Sequence, residues 1–239
     1  MMTWRYRRMI SFFSRLLDIL APRSCDVCGR RLAISEQVMC ASCNRHLPRT
    51  HFELNPYENE MAKLFWGRIP IERAAALFYY YAQSEMSHVI YALKYDYRPE
   101  IGEALGRMTA VEFGAVGYFE NIDFIVPIPL TRSRRRKRGY NQSEEIARGV
   151  SEVTGIPILK NVVRRIQFYG SQTHKNRLER VENVENAFEL INSTLIVGKH
   201  VLLIDDIVTT GATVCSCAET LQRDGTVKIS VLALGCTRK

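Results

Sequence analysis

From about residue 52 onward, apolar runs of strand length alternate with stretches whose apolar positions recur every three or four residues. That alternation is the pattern of an α/β fold. Ala74–Tyr81 predicts a strand, and Glu85–Lys94 and Glu100–Phe113 predict helices. Ile122–Val126 is a short apolar strand closed by Pro127 and Pro129, and a helix over Ser143–Val153 is stopped by Gly155, Ile156 and Pro157. Residues 164–183 are polar around Gly170, which predicts a loop entering a short helix; Ala187–Ile191 reads as a peripheral strand. Val201–Ile204 is a continuous apolar run of the buried parallel type. A helix over Thr213–Arg223, ending at Gly225, and a last strand over Val227–Leu234 follow it.

The region before residue 52 has a different texture. In residues 1–21, Ile10, Phe13, Leu16, Leu17 and Leu20 fall on one helical face, predicting an amphipathic helix. Its basic start (Arg5, Arg7, Arg8) imitates an export signal, but Arg15 and Asp18 break the apolar run and no small-residue cleavage site precedes Pro22. No stretch approaches the roughly 18 apolar residues of a membrane span, so no stable membrane insertion is expected. Docking of the helix on the protein's own body is the expectation. Residues 22–50 are polar and cysteine-rich.

The chain has 239 residues, 46% apolar and 24% charged, enough for one sizeable α/β domain with an appendage or for two compact domains. Its net charge of +8 and pI near 9.2 favour anionic partners, whether phosphorylated metabolites, nucleic acid or an acidic protein face. Four of seven cysteines form two knuckles, Cys25-Asp-Val-Cys28 and Cys40-Ala-Ser-Cys43. Four thiolates complete the tetrahedron that Zn²⁺ takes in structural sites, leaving no position open for substrate or water. Metal rather than disulfides implies a reducing compartment, so a cytoplasmic location is expected. His46 lies near enough to compete as a ligand, and a protein or DNA contact for this zinc ribbon stays open. Cys215 and Cys217 fall about 200° apart around a helix and cannot chelate together; with Cys236 they read as packing residues.

The segment Val201-Leu-Leu-Ile-Asp-Asp-Ile-Val-Thr-Thr-Gly-Ala-Thr213 carries the chemistry. Four apolar residues deliver Asp205 and Asp206 to the C-terminal end of a strand, where open parallel sheets bind ligands. Val208, Thr209, Thr210, Gly211, Ala212 and Thr213 then wrap into the next helix, and their amides with the helix N-terminus form a cup for phosphate. An anion cup beside two carboxylates suits a ribose 5-phosphate, whose diol donates to the carboxylates, with Mg²⁺ nearby. Acidic turns after strands are also common without a ligand. No GxxxxGK[ST] occurs, and no GxGxxG follows a strand.

This segment resembles the 5-phosphoribosyl-1-pyrophosphate (PRPP) signature of type I phosphoribosyltransferases. Val126-Pro-Ile-Pro-Leu130, the arginine cluster, Arg138-Gly-Tyr-Asn-Gln142, Ala147, Gln172-Thr173, Arg177, Arg180, Asn183 and Ala187-Phe188 follow in order. With Pro22, Cys25-xx-Cys28 and Leu93-Lys94-Tyr95, the chain from about residue 16 to 235 is similar to the ComF competence-protein family. The resemblance implies a type I phosphoribosyltransferase-like parallel sheet flanked by helices, with an N-terminal helix and a small zinc ribbon. It divides the chain into the helix 1–21, the four-cysteine zinc ribbon 22–50 and a phosphoribosyltransferase-like domain 51–239, with a hood over 51–120 that chooses the acceptor and a PRPP-binding core over 121–239.

The resemblance also implies roles. Asp205 and Asp206 would hold ribose hydroxyls and Mg²⁺, and Thr209–Thr213 the 5-phosphate. Pro127, Ile128, Pro129, Leu130 and Arg132 would form the pyrophosphate loop, with Arg138 beside it. Gln172–Arg180, with Arg177 and Arg180 as catalytic candidates, would close over the diphosphate, although His174–Asn176 departs from the small polar residues usual there. An as yet unassigned nitrogen acceptor would receive phosphoribose as pyrophosphate leaves, and no general base can be named from the sequence. The rival is a non-catalytic PRPP-sensing or single-stranded-DNA-handling adaptor, with DNA or a DNA-uptake helicase as partner. Arg132, Arg134, Arg135, Arg136, Lys137 and Arg138 fit a diphosphate, a nucleic-acid backbone or a solvated basic loop.

Overall fold

The longest apolar runs become strands of one parallel sheet in the computed structural model, which describes residues 22–166, 187–223 and 226–238. The helix expected over 1–21 and the segment Gln172–Arg180, with His174, Arg177 and Arg180, lie outside the described residues. The chain divides into two compact units, Met1–Leu47 and Pro48–Lys239.

In the first unit, Glu36 ties the two cysteine knuckles together. Its carboxylate accepts the Ala33 and Ala41 amides, both at 2.6 Å. These bonds hold it below the usual carboxylate range, the Ala33 bond contributing most. The first knuckle closes through the Gly29 amide on the Cys25 carbonyl at 2.8 Å, and helix α1 (Ala41–Arg45) leads out of the second.

The second unit contains strands β1 (Arg73–Tyr79), β2 (Phe124–Pro127), β3 (Val163–Arg165), β4 (Phe188–Leu190), β5 (His200–Val208) and β6 (Lys228–Cys236). Its helices are α2 (Glu60–Lys63), α3 (Glu85–Tyr95), α4 (Pro99–Gly114), α5 (Arg132–Arg138), α6 (Gln142–Thr154) and α7 (Ala212–Leu221). The main sheet runs β1-β6-β5-β2, parallel throughout, and β3–β4 form a separate antiparallel pair. Val201, Leu202, Leu203 and Ile204 in β5 are fully buried, as are Ile229, Val231, Leu232 and Ala233 in β6. Layers on both faces of a sheet require that pattern. Helix α6 packs on β5 and β2, and α7 on β5 and the β3–β4 pair.

Helices α4 and α6 meet through glycines. A Cβ on Gly149 would overlap the Glu103 carbonyl oxygen and lie 2.8 Å from the Arg107 amide nitrogen; one on Gly106 would overlap the Ile146 carbonyl. Only bare backbones fit at that approach. Among the described residues no helix is long and apolar enough to cross a membrane.

Three predicted elements differ from the observed ones. β5 continues through Val208, because Asp205, Ile207 and Val208 find parallel partners in Ala233, Gly235 and Cys236. The polar stretch beginning at 164 opens with β3, which pairs with β4 through Arg165 and Phe188. The arginine run is helical, capped at its start by the Thr131 hydroxyl on the Arg134 amide at 3.3 Å.

Candidate functional site

Since β5 continues past Ile204, Asp205 and Asp206 lie within a strand, and strand alternation sends their side chains to opposite faces. Asp205 lines the cup that follows, together with Ile207, Val208, Thr209, Thr210, Gly211, Ala212, Thr213 and Val214. The cup holds about 40 Å³, some three times the roughly 10–15 Å³ that a water needs, and so suits a tetrahedral oxyanion. Asp206 turns instead to Lys94 on α3, with Oδ2 3.1 Å from Nζ. Its Oδ1 accepts the Ile207 amide at 2.6 Å.

Asp205 Oδ1 accepts its neighbour's amide at 2.9 Å and the Ser143 hydroxyl at 3.3 Å. Burial, and then the Asp206 carboxylate, push its pKa up to about 7. Lys94, through its pairing with Asp206, and the Ser143 hydroxyl act in the opposite direction and favour the ionised form. A divalent cation or the hydroxyls of a sugar at the cup would favour the ionised form of Asp205, the carboxylate on that face of the strand.

The cup's floor depends on Gly211, at φ +73°, a left-handed conformation that favours glycine. A Cβ there would lie 2.9 Å from the Phe65 ring. Arg68 holds the Thr210 carbonyl at 3.0 Å. The first α7 hydrogen bond runs from the Cys215 amide to the Gly211 carbonyl at 2.9 Å, and the Ala212 amide before it meets the Thr210 hydroxyl at 3.4 Å. Thr209 and Thr210 are exposed, whereas Val208 is buried and offers only backbone.

Across from the cup, Ile128 donates its amide to the Ile204 carbonyl at 2.9 Å, laying Pro127–Leu130 beside β5. In this loop Pro127 and Ile128 are buried, and Pro129 and Leu130 half-buried. Asn141 fixes it: its side-chain nitrogen donates to the Ile128 carbonyl at 3.0 Å while its oxygen caps α6 through the Ser143 amide at 3.2 Å. Arg132 is exposed at the head of α5. Arg138 turns to the Gln142 side chain at 2.8 Å and stacks 5.2 Å from the centre of the Tyr95 ring.

Three residues belong to this site that sequence reasoning does not assign to it. In the sequence Lys94 stands out only within a family motif and Ser143 only as a helix start; the pairing of each with an aspartate arises from packing. Arg165 is half-buried, with its guanidinium 5.2 Å from the centre of the Phe188 ring, and desolvation followed by Arg134 lowers its pKa. Its position in an unpredicted strand hides it.

In the first unit the Sγ atoms of Cys25, Cys28, Cys40 and Cys43 lie within 4.8 Å of one another. Metal–sulfur bonds of about 2.3 Å place tetrahedral sulfurs about 3.8 Å apart, and Cys28 and Cys40 stand at 3.8 Å. The cluster can hold a metal ion. Cys40 is drawn down to about 7, chiefly by the Cys43 amide, while burial pushes Cys43 up. His46 is turned away, its Nδ1 2.8 Å from the Ser42 carbonyl oxygen.

Residues 98–236 match the family model described as phosphoribosyl transferase domain, and the chain belongs to that family. DNA utilization protein YhgH of Escherichia coli is 29% identical over 213 residues, covering 88% of each chain. Competence protein F of Haemophilus influenzae is 24% identical over 220 residues, covering 88% of this chain and 95% of its own. Within the family the chain is of the ComF type. The solved structure of an allosteric regulatory enzyme of purine biosynthesis aligns with 54% of this chain and 25% of that one, at 22% identity and a TM-score of 0.36.

Proposed function

We propose that the protein binds PRPP with Mg²⁺ and transfers phosphoribose to a nitrogen acceptor, releasing pyrophosphate. The observation that carries this reading is the cup of Asp205 and residues 207–214, in which an acid and the N-terminal backbone of α7 share one small cavity. The amides and hydroxyls of Thr209–Thr213 take the 5-phosphate. Asp205 accepts the ribose hydroxyls, and Asp206 contributes with Lys94 as its counter-charge. Asp205, on the cup's side of the strand, would hold Mg²⁺, whose charge would offset that of the diphosphate. The backbone of Pro127–Leu130 and the Arg132 guanidinium face the diphosphate, with Arg177 and Arg180 as further candidates. The acceptor nitrogen's lone pair forms the new bond at C1 as the C1–oxygen bond breaks, its electrons leaving with pyrophosphate. Orientation and charge stabilisation supply the rate.

Cys25, Cys28, Cys40 and Cys43 hold structural zinc in this reading, and their reduced state fits a cytoplasmic protein. The names of the relatives, a DNA utilization protein and a competence protein, support a role in DNA uptake. They equally favour a second reading, a non-catalytic sensor of the activated sugar within that role. Calorimetry of zinc-loaded protein with Mg²⁺ and PRPP tests the site, with Asp205→Asn/Asp206→Asn as the silent control. Pyrophosphate release across a panel of bases and amines separates transferase from sensor. No magnesium-assisted uptake of the sugar would sink both.

A further inference from the structure

Next to the sugar site, exposed rings and unpaired cations meet on one surface. Tyr91, Tyr95 and Tyr97 are 58%, 44% and 63% exposed. Tyr91 and Tyr95 lie one turn apart on α3, opposite the face that buries Met86, Val89, Ile90 and Leu93, with ring centres 4.8 Å apart. The Arg138 guanidinium stacks on Tyr95. Tyr97 rests against Gly139 and donates its hydroxyl to the Lys137 carbonyl at 3.4 Å. Its φ of 55° is a conformation that bulky residues rarely adopt, so the ring is held outward at a cost in backbone strain.

These contacts set the three rings along α5. Of the cations there, Arg135 is paired with Glu144 and Arg138 with Gln142. Arg134, Arg136 and Lys137 are exposed and have no acidic partner among the described residues. Neither feature serves the core. Three large rings in water gain nothing from burial, and a seven-residue helix with six cations repels itself.

From this juxtaposition we infer that the surface seats single-stranded DNA, with bases stacked on Tyr91 and Tyr97, Tyr95 braced between Tyr91 and Arg138, and phosphates on Arg134, Arg136 and Lys137. Rings stack only on bases free of a partner strand, and guanidiniums alongside follow the backbone. The surface stands on its own geometry; the choice of DNA over RNA rests on the DNA-uptake role proposed above.

The test is fluorescence anisotropy of the full, zinc-loaded chain with a labelled oligothymidylate, without sugar, over a salt series. Three phosphate contacts give a slope of log affinity against log salt of about −2. Arg136→Ala/Lys137→Ala should flatten that slope by roughly 1.4. Tyr91→Ala and Tyr97→Ala should each weaken binding roughly tenfold and leave the slope unchanged. Tyr91 touches only Tyr95 among the described rings, so its removal spares the fold; thermal melts check this. A duplex of the same sequence should bind far more weakly. Tyrosine variants that bind like the parent, or a duplex held as tightly as the single strand, would overturn the surface. An oligouridylate held more tightly than the oligothymidylate would overturn the assignment to DNA. Sugar uptake, measured separately, reports on the other site alone.

Discussion

Asp205→Asn should stabilise the protein above pH 7 while abolishing its hold on the activated sugar. Burial and the Asp206 carboxylate raise the Asp205 pKa to about 7, against about 3.9 for a free aspartate. A carboxylate with a raised folded-state pKa weakens the fold as it ionises. Its contribution is neutral below about pH 4, where both states are protonated, and becomes unfavourable as pH rises through the window from about 4 to about 7. Three units at about 1.4 kcal/mol each set a ceiling of about 4 kcal/mol. The side chain keeps an edge open to the cup, where water screens its charge, so about half that figure, about 2 kcal/mol, is the effect to expect. For a chain of this length that is a rise in Tm of about 4–8 °C. Asparagine preserves the shape and can still accept the Ser143 hydroxyl and the Asp206 amide. Paired melts of parent and variant should therefore coincide at about pH 4 and diverge progressively to about pH 8. The parent should bind Mg²⁺ and PRPP about tenfold more weakly at about pH 6 than at about pH 8, since only about a tenth of the carboxylate is bare one unit below its pKa. A variant less stable than the parent at the alkaline end, or a difference independent of pH, would refute the reasoning.

Lys94→Met removes the counter-charge of Asp206, whose side chain is 13% exposed. It should cost about 2 kcal/mol in chemical denaturation and, because Lys94 also lowers the Asp205 pKa, move the midpoint of the sugar-binding pH profile upward. Gly149→Ala forces α4 and α6 apart, since the new Cβ overlaps the Glu103 carbonyl. A loss of about 2 kcal/mol in denaturant unfolding is expected, together with weaker sugar binding, because Asn141 and Ser143 move with α6. Cys25→Ser should lower bound zinc from one per chain to none, measured by metal analysis, and remove the protection of amides in residues 22–47 from hydrogen exchange. Sugar uptake by the second unit should persist.

How far the sequence can be read depends on whether a feature is local. The cysteine knuckles and the bend from Thr209 to Thr213 are built by neighbours in the chain, so spacing alone exposes them. The strand through Asp205 and Asp206 is not readable in that way, because two acids after four apolar residues look like the start of a loop. What extends it is the edge offered by Ala233, Gly235 and Cys236, a tertiary fact. The same holds for α5. Six cations in seven residues argue against a helix, and what stabilises this one is Thr131 at its start, Arg135 on Glu144 and Arg138 on Gln142. The consequence for the site is specific. Lys94 and Ser143 lie in segments that pattern reading assigns to ordinary core helices, and Asn141 just ahead of one, yet they supply the ion pair of Asp206, a hydrogen bond to Asp205 and the path of the loop at Ile128. The motif names the candidate groups, while the packing of α3 and α6 on the sheet decides which partners each of them meets.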